Sequence, residues 1–262
     1  MPNIHLAHSP PGDVLPPPPS PPLDRISLFV DLDGTIAPLE ATPQAVGPDQ
    51  ARRRLLDALL ARLDGRLAVI SGRTLADLDR VLEGRIPTLG AVHGLVRRLP
   101  DGRTVEPTGN DRVRRALKEM RAAAAADPAL LVEDKGIAAA LHYRAHPEAG
   151  PRCRDMANRL GARLGLTVQE GDMVVEVRAP GPDKGAAIAA FMAEPPFAGH
   201  LPVFLGDDLT DEDGFRAVAL LGGYGVVVGP RRPTAAIYAL AGVGEVRAWL
   251  NAALEGGALE RP

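Results

Sequence analysis

"LFVDLDGTIAPLE", residues 28–40, sets Asp31 and Asp33 directly behind an apolar run and follows them with Gly34 and Thr35. Ile26, Leu28, Phe29 and Val30 have the continuous apolarity of a strand buried on both faces. Paired charge is costly in a core, so its position at the end of such a strand points to a site. Other strands end in the same way: "RLAVI" runs into Ser71, Gly72 and Arg73, and "PVFLG" runs into Asp207 and Asp208. Between and after them the chain alternates. The pattern predicts a helix over 49–63, a helix after Thr74, the strand "PTLGAV", a helix after Lys184, a helix over 211–221, the strand "YGVVV" and a last helix near 245–254. Strands alternating with helices imply crossover connections and a mainly parallel sheet covered on both faces, an α/β core. Ligands of open parallel sheets bind beyond the carboxyl ends of the strands, where the three polar clusters converge.

Composition narrows the function classes. The chain has 262 residues, 45% hydrophobic and 24% charged, which is enough for one or two ordinary globular domains. Its net charge of −3 gives no long-range pull toward nucleic acid or an anionic membrane, and the arginines at 52–54 and at 112, 114 and 115 fall on solvated faces of amphipathic helices. The single cysteine, Cys153, sits at helical spacing with Met156, Ala157, Leu160 and Leu164, so it reads as a core thiol. No apolar run is long enough for a membrane span and no signal pattern opens the chain, so a cytoplasmic monomer is expected. Residues 1–22, with "PPPPSPP", read as a disordered or polyproline tail, solvated in preference to serving as a ligand for a proline-binding module.

The rhythm changes between residues 107 and 181. A helix capped by Asn110 or Asp111, with Val113, Ala116, Leu117 and Met120 on one stripe, precedes "LLVEDKG" and "IAAALHYR"; a helix over 152–164 precedes "LTVQEG" and "MVVEVRA". Helix–strand–strand occurs twice, which predicts a two-layer α+β unit of four strands and two helices. Pro- and Gly-rich stretches flank it, so the expected organisation is a core over 23–106 and 182–262 with this unit inserted as a cap. Period-two alternation puts Glu133 with Lys135, His142 with Arg144, and Glu176 with Arg178 on the polar side of the cap sheet. A solvated face accounts for that alternation; a lid reading the hydroxyls of a polyol accounts for it and for linkers that enter from the site end.

Several carboxylates brought to one place repel and need a cation, and an all-oxygen set favours Mg2+. A metal then implies an anionic substrate, whose phosphate oxygens Ser71, its neighbouring amides and Lys184 can hold. An aspartate can attack phosphorus, and Asp33 can protonate the departing alcohol and later take a proton from water. Simpler readings exist for each motif. Asp31 to Thr35 suits an Asp-Gly turn, Ser71 a helix cap, His93 a structural histidine, and the acidic run after Gly206 a helix start. A calcium loop is excluded, since Thr42 occupies its twelfth position.

"DLDGT" at 31–35, Ser71, Lys184 and "GDDLTDED" at 206–213, in this order, resemble the four motifs of the haloacid dehalogenase-like phosphohydrolases. The resemblance implies a Rossmann-like core, Asp31 as nucleophile, Asp33 as acid/base, and Ser71 and Lys184 as phosphate holders. It further implies a Mg2+ site drawn from Asp31, Asp33, Asp207, Asp208 and Asp211. "SGR" at 71–73, "AVHG" at 91–94, "VEDKGIAAALHYR" at 132–144 and "VEVR" at 175–178 are similar to the trehalose-6-phosphate phosphatases, although "VEVRAPGPDKG" departs from a more regular "VEVRP" run. This finer resemblance implies a sugar phosphate substrate bound by Thr35, Ser71, Gly72, Arg73, His93, Gly94, Glu133, Lys135, Glu176 and Arg178. Phosphatases for sucrose 6-phosphate or a glycosyl-glycerate phosphate share the core motifs, a phosphosugar mutase uses a similar core, and a non-catalytic scaffold would not need the acidic set.

Overall fold

The computed structural model describes residues 15–107, 111–230 and 233–259. Two sheets organise the chain. The larger has eight strands in the order β12-β11-β10-β1-β2-β3-β4-β5. Its middle is parallel: β1 (Ile26–Val30) lies between β10 (Leu201–Gly206) and β2 (Leu67–Ile70), with β11 (Tyr224–Val228) and β12 (Tyr238–Leu240) beyond β10 and β3 (Leu89–Ala91) beyond β2. β4 (Val96–Arg98) and β5 (Thr104–Val105) add an antiparallel margin. These two short polar strands and β12 are absent from the sequence expectation.

The alternation of β1 sorts the core into two layers. Ile26, Leu28 and Val30 pack with the apolar stripes of α1 (Gln50–Arg62), α2 (Leu75–Leu82) and α7 (Val243–Leu259), whereas Phe29 packs with α5 (Lys184–Met192) and α6 (Glu212–Leu220). Phe29 stacks on Phe197 at 5.3 Å between ring centroids, and Phe204 meets Phe215 at the same distance, filling the second layer with large rings. Helix starts follow side-chain capping: the carboxylate of Asp49 accepts the Arg52 amide, Thr74 accepts the Asp77 amide and Asp183 accepts the Ala186 amide. The Asp183 cap begins α5 at Lys184 itself.

Between β5 and α5 the chain builds the second sheet, in the order β6-β7-β9-β8, fully antiparallel. Helix α3 (Asp111–Ala125) precedes β6 (Leu131–Asp134) and β7 (Ala138–His142), and α4 (Gly150–Leu164) precedes β8 (Thr167–Gly171) and β9 (Val174–Arg178). Cross-strand register aligns Glu133, Ala140, Glu176 and Gln169 in one row on one face. The opposite face, with Leu141, Val175 and Val177, packs on the helices through Val113, Met120, Cys153 and Leu160. Asn110 lies outside the described residues.

The proline-rich segment departs from expectation. Residues 1–14 are outside the described residues, but from Leu15 onward the segment lies on the core and is not a free tail. Pro18, Pro21 and Leu23 are buried, the Ala239 amide of β12 donates to the Pro16 carbonyl, and the Trp249 indole of α7 donates to Pro19. Proline lacks an N–H but keeps an acceptor and an apolar ring, and both are used here. Among the described residues no helix is long and apolar enough to cross a membrane.

Candidate active site

The central strand delivers Asp31 to the carboxyl end of the large sheet, where its amide continues the ladder onto Leu205. The chain then turns tightly, with the amides of Ile36 and Ala37 both returning to Leu32, and Gly34 takes a φ of +77°. A Cβ at Gly34 would stand 2.0 Å from Asp207 Oδ2, so only glycine lets the Asp207 carboxylate lie against this turn. On the neighbouring strand exit, Asp211 is fully buried. Its Oδ2 accepts the amides of Asp207 and Asp208, each at 2.9 Å, and its Oδ1 accepts Lys184 Nζ at 2.6 Å. The same ammonium donates to Asp31 Oδ1 at 2.8 Å.

Lys184 therefore bridges two buried carboxylates that the chain brings together from β1 and from beyond β10. Burial lowers its affinity for a proton, but Asp211 and Asp31 outweigh that and hold it charged. Asp31 is pushed well above the usual carboxylate range, first by burial; Lys184 pulls it down, and Asp211, Asp207 and Asp33 push it up. One carboxylate oxygen each from Asp31, Asp207 and Asp211 lies within 4.8 Å of the others. Three carboxylates against one ammonium leave an excess of negative charge, and the donors are all hard oxygens, so the set fits a divalent cation of the Mg2+ kind.

The other two carboxylates expected at the metal line the same cleft and have protein partners there. Asp208 caps the turn Leu209–Asp211 through its Oδ1 and the Leu209 amide, sharing a capping box with Asp211. Asp33 is gripped by Arg73, with Nε to Oδ2 at 2.7 Å and Nη2 to Oδ1 at 2.8 Å. Arg73, expected at the substrate, thus spends its fork on a neighbour, and its Nη1 continues to Asp77 and the Pro43 carbonyl.

Ser71 is buried beside Asp31 and Lys184 on the cleft wall, and its hydroxyl oxygen accepts the Arg73 amide at 3.3 Å. The "SGR" and "AVHG" segments are tied together: the Val92 amide donates to Arg73 and the His93 amide to Ser71. Val92, His93 and Gly94 all take positive φ, at 48°, 57° and 90°, a run that non-glycine residues rarely adopt. It lays the His93 ring on Gly72, where a Cβ would meet it at 2.5 Å. Gly94 is not on the cleft; it lets the Asp183 backbone approach to where a Cβ would be 2.4 Å away, and so seats Lys184. Thr35 is fully buried off the cleft, with Oγ1 lacking a partner among the described residues.

A cleft of about 200 Å³ separates this cluster from the polar face of the second sheet. Glu133, Lys135 and Glu176 line it. Lys135 Nζ donates to Glu176 Oε2 at 2.6 Å and, across the cleft, to the Gly72 carbonyl at 2.8 Å. Glu133 pairs with His142 Nε2 at 2.9 Å. Arg178 is off the cleft: it donates to Gln169 and to the Pro182 carbonyl, holding the strand that returns to the core. Sequence reasoning missed two walls, the loop at 39–43 and the hairpin at 169–172, whose only signals are turn residues.

A family model described as Trehalose-phosphatase matches residues 29–243. The Trehalose-6-phosphate phosphatase of Escherichia coli K12 is 41% identical over 230 residues, covering 87% of this chain and 86% of that protein. Among solved structures, a trehalose-6-phosphate phosphatase related protein superposes with a TM-score of 0.76 at 26% identity over 89% of this chain and 99% of that one. The C-terminal domain of the Candida albicans trehalose-6-phosphate phosphatase gives 0.82 at 24% identity over 93% and 99%, a likeness of fold. The matched span begins on the strand that carries Asp31 and takes in both sheets and every wall of the cleft, so the chain belongs to the trehalose-phosphatase family of phosphoric monoester hydrolases.

Proposed function

We propose that this enzyme hydrolyses trehalose 6-phosphate to trehalose and phosphate through an aspartyl-phosphate on Asp31. The observation that carries the reading is the pairing of a Lys184-bridged carboxylate cluster with a polar sheet face across one cleft. Kinship with the Escherichia coli enzyme supports the choice of sugar.

Asp31 has one oxygen on Lys184, and its other oxygen attacks phosphorus as the bond from phosphorus to the sugar oxygen breaks. An ammonium has three donors; Lys184 gives two to Asp31 and Asp211, so a third remains for a phosphoryl oxygen, joined by the Ser71 hydroxyl. Asp33 gives its proton to the leaving sugar oxygen, then removes one from the water that attacks the aspartyl-phosphate, which frees phosphate and restores both carboxyl groups. Mg2+, held by Asp31, Asp207 and Asp211, would offset the carboxylate charge that otherwise repels a phosphate dianion. On the cap side Glu133, Lys135 and Glu176 present acceptors and a cation to sugar hydroxyls, and binding energy gathered there assembles the site below.

Phosphate release from trehalose 6-phosphate, sucrose 6-phosphate and glucose 6-phosphate, with Mg2+ and with chelator, tests this. Rapid release from the first alone, abolished by chelator and restored by Mg2+, is the expected result. Equal rates on glucose 6-phosphate would end the disaccharide reading, and an isomerised ester without free phosphate would make the enzyme a mutase.

A further inference from the structure

Arg73 contributes a guanidinium to the cleft wall, yet four of its contacts go to protein: two to Asp33, one to Asp77 and one to the Pro43 carbonyl. A guanidinium has five N–H donors in a fixed plane, so in this arrangement too few remain for it to grip a phosphate. Its backbone is equally fixed, since the amide donates to Ser71 Oγ and the carbonyl accepts the Val92 amide. The side chain is almost fully buried while that of Asp33 is 29% exposed toward the cleft. A fork binding both oxygens of a carboxylate fixes its plane as well as its position, and each oxygen keeps a second lone pair for a proton transfer.

We propose that Arg73 is a positioning residue for Asp33, setting the orientation in which that carboxyl group exchanges protons with the leaving sugar oxygen and with water, and that it is not a phosphate ligand. The inference rests on the acid/base reading of Asp33 given above. Asp77 buttresses the fork from the first turn of α2, and Pro43 ties it to the loop that walls the cleft. Lysine supplies the charge without the fork, so it does not replace arginine here.

The test compares Arg73→Lys, Arg73→Gln, Asp33→Asn and the double variant Asp33→Asn/Arg73→Gln on trehalose 6-phosphate and on an aryl phosphate whose leaving group needs no proton. For the Arg73 variants we expect kcat on the sugar phosphate to fall roughly 10- to 100-fold, a part of the range open to general acid–base catalysis. Aryl phosphate kcat/KM, which covers only the steps up to transfer onto Asp31 and so needs no proton from Asp33, and inhibition by inorganic phosphate should move less than about threefold. The double variant should be no slower on the sugar phosphate than Asp33→Asn alone, because the two groups act as one unit. Weakened phosphate inhibition with raised KM on both substrates would make Arg73 a phosphate ligand and overturn the proposal; equal kcat/KM losses on both, with a lowered Tm, would make it structural and do the same. Should Arg73→Gln not fold, Arg73→Lys, which keeps the buried charge, carries the comparison. If Asp33→Asn itself shows no dependence on leaving group, the acid/base reading fails and takes the proposal with it. If Asp33→Asn shows that dependence and the Arg73 variants do not, the proposal alone fails.

Discussion

The two walls of the cleft hold charge in different ways. On the core side, Asp31, Lys184 and Asp211 come from distant parts of the chain and are almost fully buried, so Lys184 depends on the two carboxylates for its charge and they on it. On the cap side the two pairs differ: Glu133 and His142 sit on adjacent strands and stay partly exposed, whereas Lys135 reaches over β7 to Glu176 and both are buried, although all four line the cleft. A buried cluster with no exchange partner is a fixed reaction centre. The partly exposed Glu133–His142 pair can exchange a partner for a hydroxyl group, which the buried core cluster cannot.

The first way to break this comparison is at its fixed side. Asp31→Asn should lower turnover by at least about a thousandfold, since an amide is a poor nucleophile, while Tm holds or rises because a crowded carboxylate charge is removed. Lys184→Met should also abolish turnover, yet it should cost roughly 3–5 kcal/mol of stability by leaving two buried carboxylates unpaired. Urea unfolding of both variants separates the effects, and equal stabilities would mean that Lys184 does not hold the cluster together. At the cap side, Lys135→Ala and Glu176→Ala should each reduce kcat/KM on trehalose 6-phosphate at least about tenfold, as expected for a lost charged hydrogen bond. Aryl phosphate hydrolysis should hardly change; parallel losses on both substrates would erase the distinction between the walls.

Deletion through Pro22 should lower Tm by roughly 4–8 °C, corresponding to about 2 kcal/mol for the hydrogen bonds to Pro16 and Pro19 and the apolar contacts around them. Turnover should stay within about twofold, because the segment is remote from the cleft. An unchanged Tm would return the segment to the status of a free tail.

The smallest expected effect lies between the walls. His93 is held well below its ordinary value of 6.5, first by burial and then by the charges of Lys135, Lys184 and Arg178. Unfolded, the ring gains a proton near that ordinary value while the folded ring stays neutral. Stability therefore falls as pH drops below 6.5 toward the depressed folded value, by up to about 1.4 kcal/mol per pH unit from this group. His93→Asn, which tolerates the left-handed backbone, should flatten the profile measured by urea unfolding between pH 5 and 7. Identical slopes in the two proteins would show that His93 titrates freely.

The sequence discloses the fold where signals are long or repeated. Continuous apolar strands, capped helices and a helix–strand–strand unit occurring twice are read correctly; β4, β5 and β12 are not, being two or three residues each and partly polar. At the site, motif positions identify which residues reach the strand ends, as for Asp31, Ser71, Lys184 and Asp207. They do not tell which way a side chain turns. Arg73 and Arg178 lie in motifs but hold Asp33 and Pro182, Gly94 and Thr35 face packing instead of the cleft, and Asp208 caps a turn. The loop at 39–43 and the hairpin at 169–172 reach the cleft only through tertiary folding, which no local pattern records.

The proline segment has one more consequence, for solubility. A terminal strand offers unpaired N–H groups that can recruit a strand from another molecule and seed aggregation. On β12 one such group, the Ala239 amide, is taken by the Pro16 carbonyl. Prolines at 16–19 have no N–H with which to receive a further strand, so the segment satisfies the edge and ends the sheet in the same stroke. A chain lacking it would keep its chemistry and acquire an adhesive margin.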